Sequence, residues 1–197
     1  MTRNAATRAP SANRADAPAS RQSAPLTRRF GALVYEGLLL SALTLVGGFL
    51  LAPLVSPAPP GVRQLQLPSL AGRVFEFCAL FALGALYCVW SWSDGRRTLA
   101  MKTWRLRLVR ADGEALDRRT ALARYLAAWL GPALALVAYL LLHPASHGAH
   151  AAWLVGFNFL WAFIDPGRRF LHDRIAGTWI VVDHDATSAG RGPQAGA

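Results

Sequence analysis

An almost unbroken apolar run extends from Phe30 to Val55 and is entered through Arg28 and Arg29. A helix needs about 20 apolar residues to cross the hydrocarbon core of a bilayer, so this run predicts a first transmembrane span. Glu36 interrupts the run about two helical turns from its start. Because an ionisable side chain inside a span is costly, Glu36 is a candidate functional residue.

Three further apolar stretches follow. The second and the third are each long enough to cross a bilayer, whereas the fourth is short and taken alone also fits a buried or interfacial helix. The pattern predicts an all-α membrane protein with four transmembrane helices, at about residues 30–55, 74–92, 121–142 and 151–164.

The insert between the second and third spans alternates apolar and basic side chains from Trp104 to Leu108. This alternation has the period of a half-buried β-strand. Residues 111–114, Ala-Asp-Gly-Glu, then predict a turn. Because residues 178–182 form another β-prone run, we predict that the two runs pair as a short cytoplasmic β-like insert.

The two ends of the chain differ in composition from its middle. Residues 1–27 hold almost no large apolar side chain, so this Arg-, Ala- and Pro-rich segment is expected to be a disordered cytoplasmic arm. Residues 28–182 form the predicted membrane domain, and residues 183–197 are expected to be a flexible C-terminal tail.

Composition agrees with a membrane protein, since 53% of the residues are hydrophobic and only 16% are charged. The net charge of +10 could indicate nucleic-acid binding. However, the basic residues form three clusters separated by apolar stretches, and no recognition motif accompanies them. We therefore expect the lipid bilayer, and no nucleic acid, as a partner.

The basic residues also predict orientation. Six Arg and Lys residues precede Phe30, nine lie in residues 93–124 and four follow Asp165, whereas the other two connections hold only Arg63. The positive-inside rule places the three rich segments in the cytoplasm. This predicts a multi-pass protein of the bacterial inner (plasma) membrane with four crossings and both termini cytoplasmic.

Arg29 and Glu36 are seven residues apart, so they share a helix face and lie about 10 Å apart along the axis. Glu36 is either a proton or cation site or a carboxyl satisfied by a polar group of another helix. Asp173 follows the fourth span on the same side of the membrane. The three residues are therefore candidates for one polar cluster, either a small-cation site or a structural clamp of arginine and carboxylate.

Several of these residues stand in a pattern that resembles the RDD family. The segments concerned are Arg29, Glu36, the insert Gly-Arg-Arg-Thr-Leu-Ala-Met-Lys at 95–102, and the block Leu-His-Asp-Arg-Ile-Ala-Gly-Thr at 171–178. The resemblance covers about residues 28–182. The resemblance implies three motif positions. Arg29 matches the family's arginine at the start of the first helix, Glu36 stands where the family has an aspartate within that helix, and Asp173 matches its later aspartate.

The resemblance implies a small membrane domain and, from some members of the family, cation and proton exchange. Four spans are few for alternating access, so an exchanger would require a homo-oligomer or a membrane partner. The alternative is a non-transporting membrane component that binds a cytoplasmic partner or anionic lipid. Its candidate binding surface is the basic insert, with Arg105, Arg107, Arg118 and Arg119.

Three secondary polar residues have simpler interpretations. Glu76 begins the second span and is expected to pair with Arg73. Asn158 lies midway along the fourth span, where a hydrogen bond between helices is expected, and His172 precedes Asp173 in the motif.

Metal and enzyme chemistry receive little support. His143, His147 and His150 share an external loop, but Pro144 and Gly148 argue against a helix that would group them. The chain contains no nucleophile elbow, phosphate-binding loop or zinc-protease motif. We therefore expect no enzyme activity, no metal and no cofactor.

Overall fold

The computed structural model of the chain describes residues 23–56, 68–143 and 148–183. Three apolar helical segments in these ranges are long enough to cross a membrane, namely α1 (Leu26–Val55), α2 (Leu70–Trp92) and the consecutive helices α4 (Arg118–Ala128) and α5 (Leu130–Leu142). Large apolar side chains, including Phe49 and Leu86, remain exposed on these helices, as expected of surfaces that face lipid. The chain is therefore a membrane protein with three candidate spans.

The third span is interrupted at Trp129, between α4 and α5. Pro132 has no N–H with which to meet the carbonyl oxygen of Ala128, and this weakens the helix at that point. Gly131 lets another segment approach closely, since a Cβ placed there would lie 2.6 Å from the carbonyl oxygen of Val155.

The fourth apolar stretch differs from the predicted helix at 151–164. It consists of a 3-10 helix (Gly148–Gly156), one turn of α-helix, α6 (Phe157–Leu160), and a second 3-10 helix (Trp161–Phe163). Its main packing partner is α5. Because it lacks a long α-helix, it is not among the three candidate spans, and four crossings are not confirmed.

The remaining elements gather at one end of the bundle. They are the short helices α3 (Leu99–Thr103) and α7 (Leu171–Ile175) and the strands β1 (Leu106–Arg110) and β2 (Thr178–Val182). The predicted pairing is confirmed: the strands are antiparallel, with Leu106 opposite Val182 and Arg110 opposite Thr178. We call this end, where α1 and α4 begin and α2 ends, the basic end.

The described residues extend beyond the predicted domain limits of 28 and 182 and make contacts there. Ser23 forms a bridge with Val181, and the N–H of Ala24 donates to the carbonyl oxygen of Ile180 at 2.8 Å. At the other limit, the N–H of Asp183 donates to the carbonyl oxygen of Arg105 at 2.9 Å. The rest of the predicted arm and tail, 1–22 and 184–197, lies outside the described residues.

Candidate functional site

Asp173 lies at the centre of a buried polar cluster at the basic end. It is in α7 and its relative exposure is 0%. Arg29 Nη2 donates to Oδ2 at 3.1 Å and Arg124 Nε donates to Oδ1 at 2.8 Å. Thr178 Oγ1 adds a third contact, 3.3 Å from Oδ1. A single carboxylate therefore joins Arg29, near the start of α1, and Arg124 of α4 to the segment that leads into β2.

Arg29 is the first arm of this cluster. Its Nη1 donates to the carbonyl oxygen of Arg168 and, at 3.3 Å, to Ser23 Oγ. Its guanidinium lies over the Phe170 ring, with the central carbon 4.3 Å from the ring centroid. Its Nε, however, is buried and has no hydrogen-bond partner among the described residues.

Arg124 is the second arm, and it was not among the site residues predicted from the sequence. Its guanidinium carbon lies 4.2 Å from the centroid of Trp92 at the end of α2. Its Nη2 lies 3.3 Å from His172 Nε2. A signal for Arg124 was present, because it is a charged residue inside the predicted third span.

His172 and Asn158 extend the cluster toward the break in the third span. Arg124 can only donate, so His172 Nε2 must accept, and the ring proton is on Nδ1. That nitrogen lies 3.0 Å from Asn158 Oδ1, which also accepts from the His172 backbone N–H at 2.9 Å. Asn158 Nδ2 donates to the carbonyl oxygens of Ala127 and Ala128, both at 3.0 Å. The expected hydrogen bond between helical segments is therefore present.

The charges in this cluster follow from burial and pairing. Burial lowers the pKa of His172 to about 4, so the imidazole is neutral at physiological pH. Burial alone would raise the pKa of Asp173, but the facing guanidinium groups of Arg124 and Arg29 lower it below its ordinary value. The cluster thus holds two guanidinium cations, one carboxylate and a neutral imidazole.

Glu36 lies apart from this cluster. It forms no ion pair with Arg29 or with any other cation among the residues that the structure describes. Its Oε1 is buried and lacks a hydrogen-bond partner within the same part of the chain. The hydroxyl groups of Tyr87 and Thr98 face its carboxyl. Of the three residues predicted to form one cluster, Arg29 and Asp173 are in contact. Arg124 joins them, whereas Glu36 forms no ion pair with these residues.

A cavity of about 540 Å³ lies between α1, α2 and the third span, and Glu36 lines it. Arg29, Arg124 and His172 line its polar end. The rest of the wall is largely apolar and aromatic, with Leu40, Phe77, Leu80, Phe81, Tyr125 and Trp129. Glu36 is therefore an acid that borders an internal space next to two arginines already bound to another carboxylate.

The other predicted residues lie outside this site. Glu76 is half-buried against α1, where a Cβ on Gly48 would lie 3.5 Å from its Oε1. The salt bridges found among the described residues do not include the predicted pair of Glu76 and Arg73, which stays a prediction. The residues of the basic surface are all exposed: Arg105, Arg107, Arg118 and Arg119.

Of the three loop histidines, His147 lies outside the described residues. The described part of the chain holds no group of three or more side chains that could bind a metal ion together. The interpretation of that loop therefore stays a prediction.

Comparison with known proteins supports one assignment. No curated protein and no solved structure matches the chain significantly. The model of the RDD family matches residues 23–177, well over half of the chain. That range includes Arg29, Glu36 and Asp173, together with the three candidate spans. The chain therefore belongs to the RDD family.

Proposed function

We propose that this RDD-family protein exchanges a small cation for protons across the plasma membrane of a bacterium, with Glu36 as the exchanging group. The observation that supports this is the carboxyl of Glu36, which lines the cavity and whose Oε1 is buried without a hydrogen-bond partner among the described residues. An ionisable group inside a span is energetically costly, so its presence indicates a function or a partner. A carboxyl that binds either a proton or a cation has its charge neutralised in both states.

Asp173 is a weaker candidate for the exchanging group because its oxygens already bind Arg29 and Arg124. Releasing it would leave two buried guanidinium groups without their shared counter-ion, and such a rupture costs about 3–5 kcal/mol. We assign Asp173 a structural role, holding α1, α4 and α7 together. Glu36 forms no ion pair among the described residues, so no guanidinium group would be left without its counter-ion.

We also propose four crossings with the basic end and both termini in the cytoplasm. Residues 148–163 are few for a span, but most of them adopt the 3-10 conformation. With a rise of about 2.0 Å per residue there, the segment reaches about 30 Å, close to the hydrocarbon thickness. The clustering of Arg and Lys at the basic end supports the cytoplasmic assignment.

The exchange proposal includes an assembly of more than one copy or a membrane partner. Four crossings offer little room for a site that opens alternately to the two sides of the membrane. A second subunit would supply further helices to enclose such a site. No enzymatic step and no cofactor is part of this proposal.

The test is the collapse of a pH gradient in everted membrane vesicles when sodium, potassium or lithium is added. We expect the wild type to dissipate the gradient with at least one of these ions and Glu36→Gln to abolish the effect at equal protein level. Glu36→Asp should retain exchange, because the resemblance places an aspartate at this position in other members. Absence of any ion-dependent collapse in the wild type would contradict the proposal.

Glu76→Gln is the matched control. Glu76 is the other acid within a candidate span, and it is half-buried but does not line the cavity. Its substitution removes the same charge from the membrane segment of α2. Exchange should therefore survive in Glu76→Gln, and equal loss in both variants would show that the effect is not specific to Glu36.

A second candidate function rests on the exposed arginines of the basic end. Arg105, directly before β1, and Arg118, at the start of α4, are both exposed. Such a cationic surface attracts an anionic leaflet or an acidic protein surface. Reversal of both charges to glutamate should weaken binding of phosphatidylglycerol vesicles to the reconstituted protein and leave exchange intact, whereas Glu36→Gln should do the opposite.

A further inference from the structure

The cavity has features that neither exchange nor the salt-bridge cluster explains. Its volume of about 540 Å³ falls within the range of small-molecule sites. Most of its wall is apolar, which a hydrated cation or a proton does not require. An apolar ligand would account for both properties.

The shape of the cavity suits a hydrocarbon chain. The lining residues of α1 run from Arg29 to Thr44, about 22 Å along the helix axis. A lipid chain in one leaflet occupies about 15 Å, half of the hydrocarbon thickness. The cavity is therefore long enough to hold such a chain beside α1.

The cavity also has access to the membrane interior. Phe77 lines it and is nevertheless 56% exposed on the surface of α2. A side chain that contributes both to the wall and to the lipid-facing surface lies at an opening between the two. A membrane amphiphile can therefore enter sideways without passing through water.

One end of the cavity is built for an anion. Arg29 and Arg124 both line it, and the one carboxylate that they share is Asp173. Arg29 is only 2% exposed, and its Nε is left without a hydrogen-bond partner in the described part of the chain. An unpaired buried donor on a guanidinium is unfavourable, and an anionic acceptor would satisfy it.

We propose that this cavity binds a single-chain membrane amphiphile, with its hydrocarbon chain between α1, α2 and the third span and its anionic head group at Arg29 Nε. A fatty-acid carboxylate and a lipid phosphate share this chemistry. The site does not depend on exchange, and its test uses no transport measurement.

The experiment uses the full chain reconstituted in phosphatidylcholine membranes with a palmitate that carries a photoreactive diazirine in its chain. After irradiation, mass spectrometry of the peptides locates the labelled residues. We expect labels on the cavity wall, at Phe81, Tyr125 and Trp129. Excess palmitate should reduce this labelling about tenfold, whereas hexadecanol, which has the same chain and no charge, should compete far less.

Lysophosphatidic acid distinguishes the two head groups. If it competes as well as palmitate does, the site accepts a phosphate, and if only palmitate competes, the ligand is a carboxylate. If hexadecanol competed as well as palmitate does, the assignment of the anionic head group to Arg29 would be wrong. Labels confined to lipid-facing residues such as Leu86 would overturn the cavity site itself.

Two matched pairs of variants test the location. Ala128→Trp fills the cavity wall, whereas Ala123→Trp adds the same bulk to the exposed side of α4. Leu40→Trp and Leu38→Trp form the corresponding pair on α1, so the test survives if one variant fails to fold. We expect specific labelling to fall about tenfold in the cavity variants and to persist in their counterparts. Equal labelling within each pair would refute the proposal.

Discussion

The side-chain amide of Asn158 donates to the carbonyl oxygen of Ala128 at 3.0 Å. This is the oxygen that Pro132 leaves without a helical donor. One polar residue of the fourth apolar stretch thus compensates the break in the third span. Through its oxygen, the same side chain orients His172, next to the Asp173 that joins three elements. The break and the buried ion pairs therefore form one structural unit.

This relationship predicts coupling between Asn158 and Pro132. Asn158→Ala should lower the free energy of unfolding by about 1–3 kcal/mol, because buried carbonyl oxygens lose their donor. Pro132→Ala restores an N–H to α5, so the cost of Asn158→Ala should be smaller in that background. Thermal unfolding of the four proteins in one detergent measures the coupling, and strictly additive losses would contradict it.

Asp173→Asn should destabilise the protein by about 3–5 kcal/mol, because it leaves Arg29 and Arg124 buried without a counter-ion. The expected signs are poor accumulation in the membrane and a lower midpoint of thermal unfolding. Asp112→Asn is the control, since Asp112 pairs with Arg110 on the exposed surface. An unchanged midpoint in Asp173→Asn would show that the cluster does not hold the helices together.

The pKa of His172 predicts a loss of stability in acid. Burial lowers this pKa to about 4, while the unfolded chain binds the proton near its ordinary value of 6.5. Protonation therefore favours unfolding, and stability should fall between about pH 6.5 and pH 4 by on the order of 3 kcal/mol.

His172→Gln should remove this component of the pH dependence, whereas replacement of the exposed His143 should leave it in place. Unfolding midpoints measured across the same pH range test the assignment. If the acid-induced loss were identical in His172→Gln and the wild type, another group would be its source.

Gly131→Ala should weaken the packing of the third span against the segment that follows it. Its Cβ would lie 2.6 Å from the carbonyl oxygen of Val155, so the backbone must shift, at a cost of about 1–3 kcal/mol. Gly156→Ala meets no atom within 4 Å and should be neutral or slightly stabilising. Thermal unfolding compares the two, and equal midpoints would indicate that Gly131 is not required for close approach.

The length of the apolar runs made the long helices predictable, and local composition made the sheet predictable. The alternation up to Leu108 has period two, the run at 178–182 is rich in β-prone residues, and the two strands do pair. The conformation of 148–163 could not be predicted in this way. Apolar composition does not distinguish 3-10 from α geometry, and the close approach of this segment to α5 at Gly131 is a long-range contact that the local sequence does not reveal.

The site was predictable only in part. The family motif pointed to Arg29 and Asp173, which are in contact. The family motif did not indicate Arg124. The charge pattern did not single it out either, because it was counted among the basic residues of the insert. Its position in the predicted third span was a signal, but its partner Asp173 is reached only through the long-range packing of α7 against α4.

The central claim is that Glu36 exchanges a bound proton for a cation. Infrared difference spectroscopy of the reconstituted protein tests this directly by following the protonated carboxyl when sodium, potassium or lithium is added. We predict that the cation removes a protonated-carboxyl band, that Glu36→Gln lacks this change and that Glu76→Gln retains it. A wild-type spectrum that does not change with any of the three cations, or an unchanged response in Glu36→Gln, would contradict the claim.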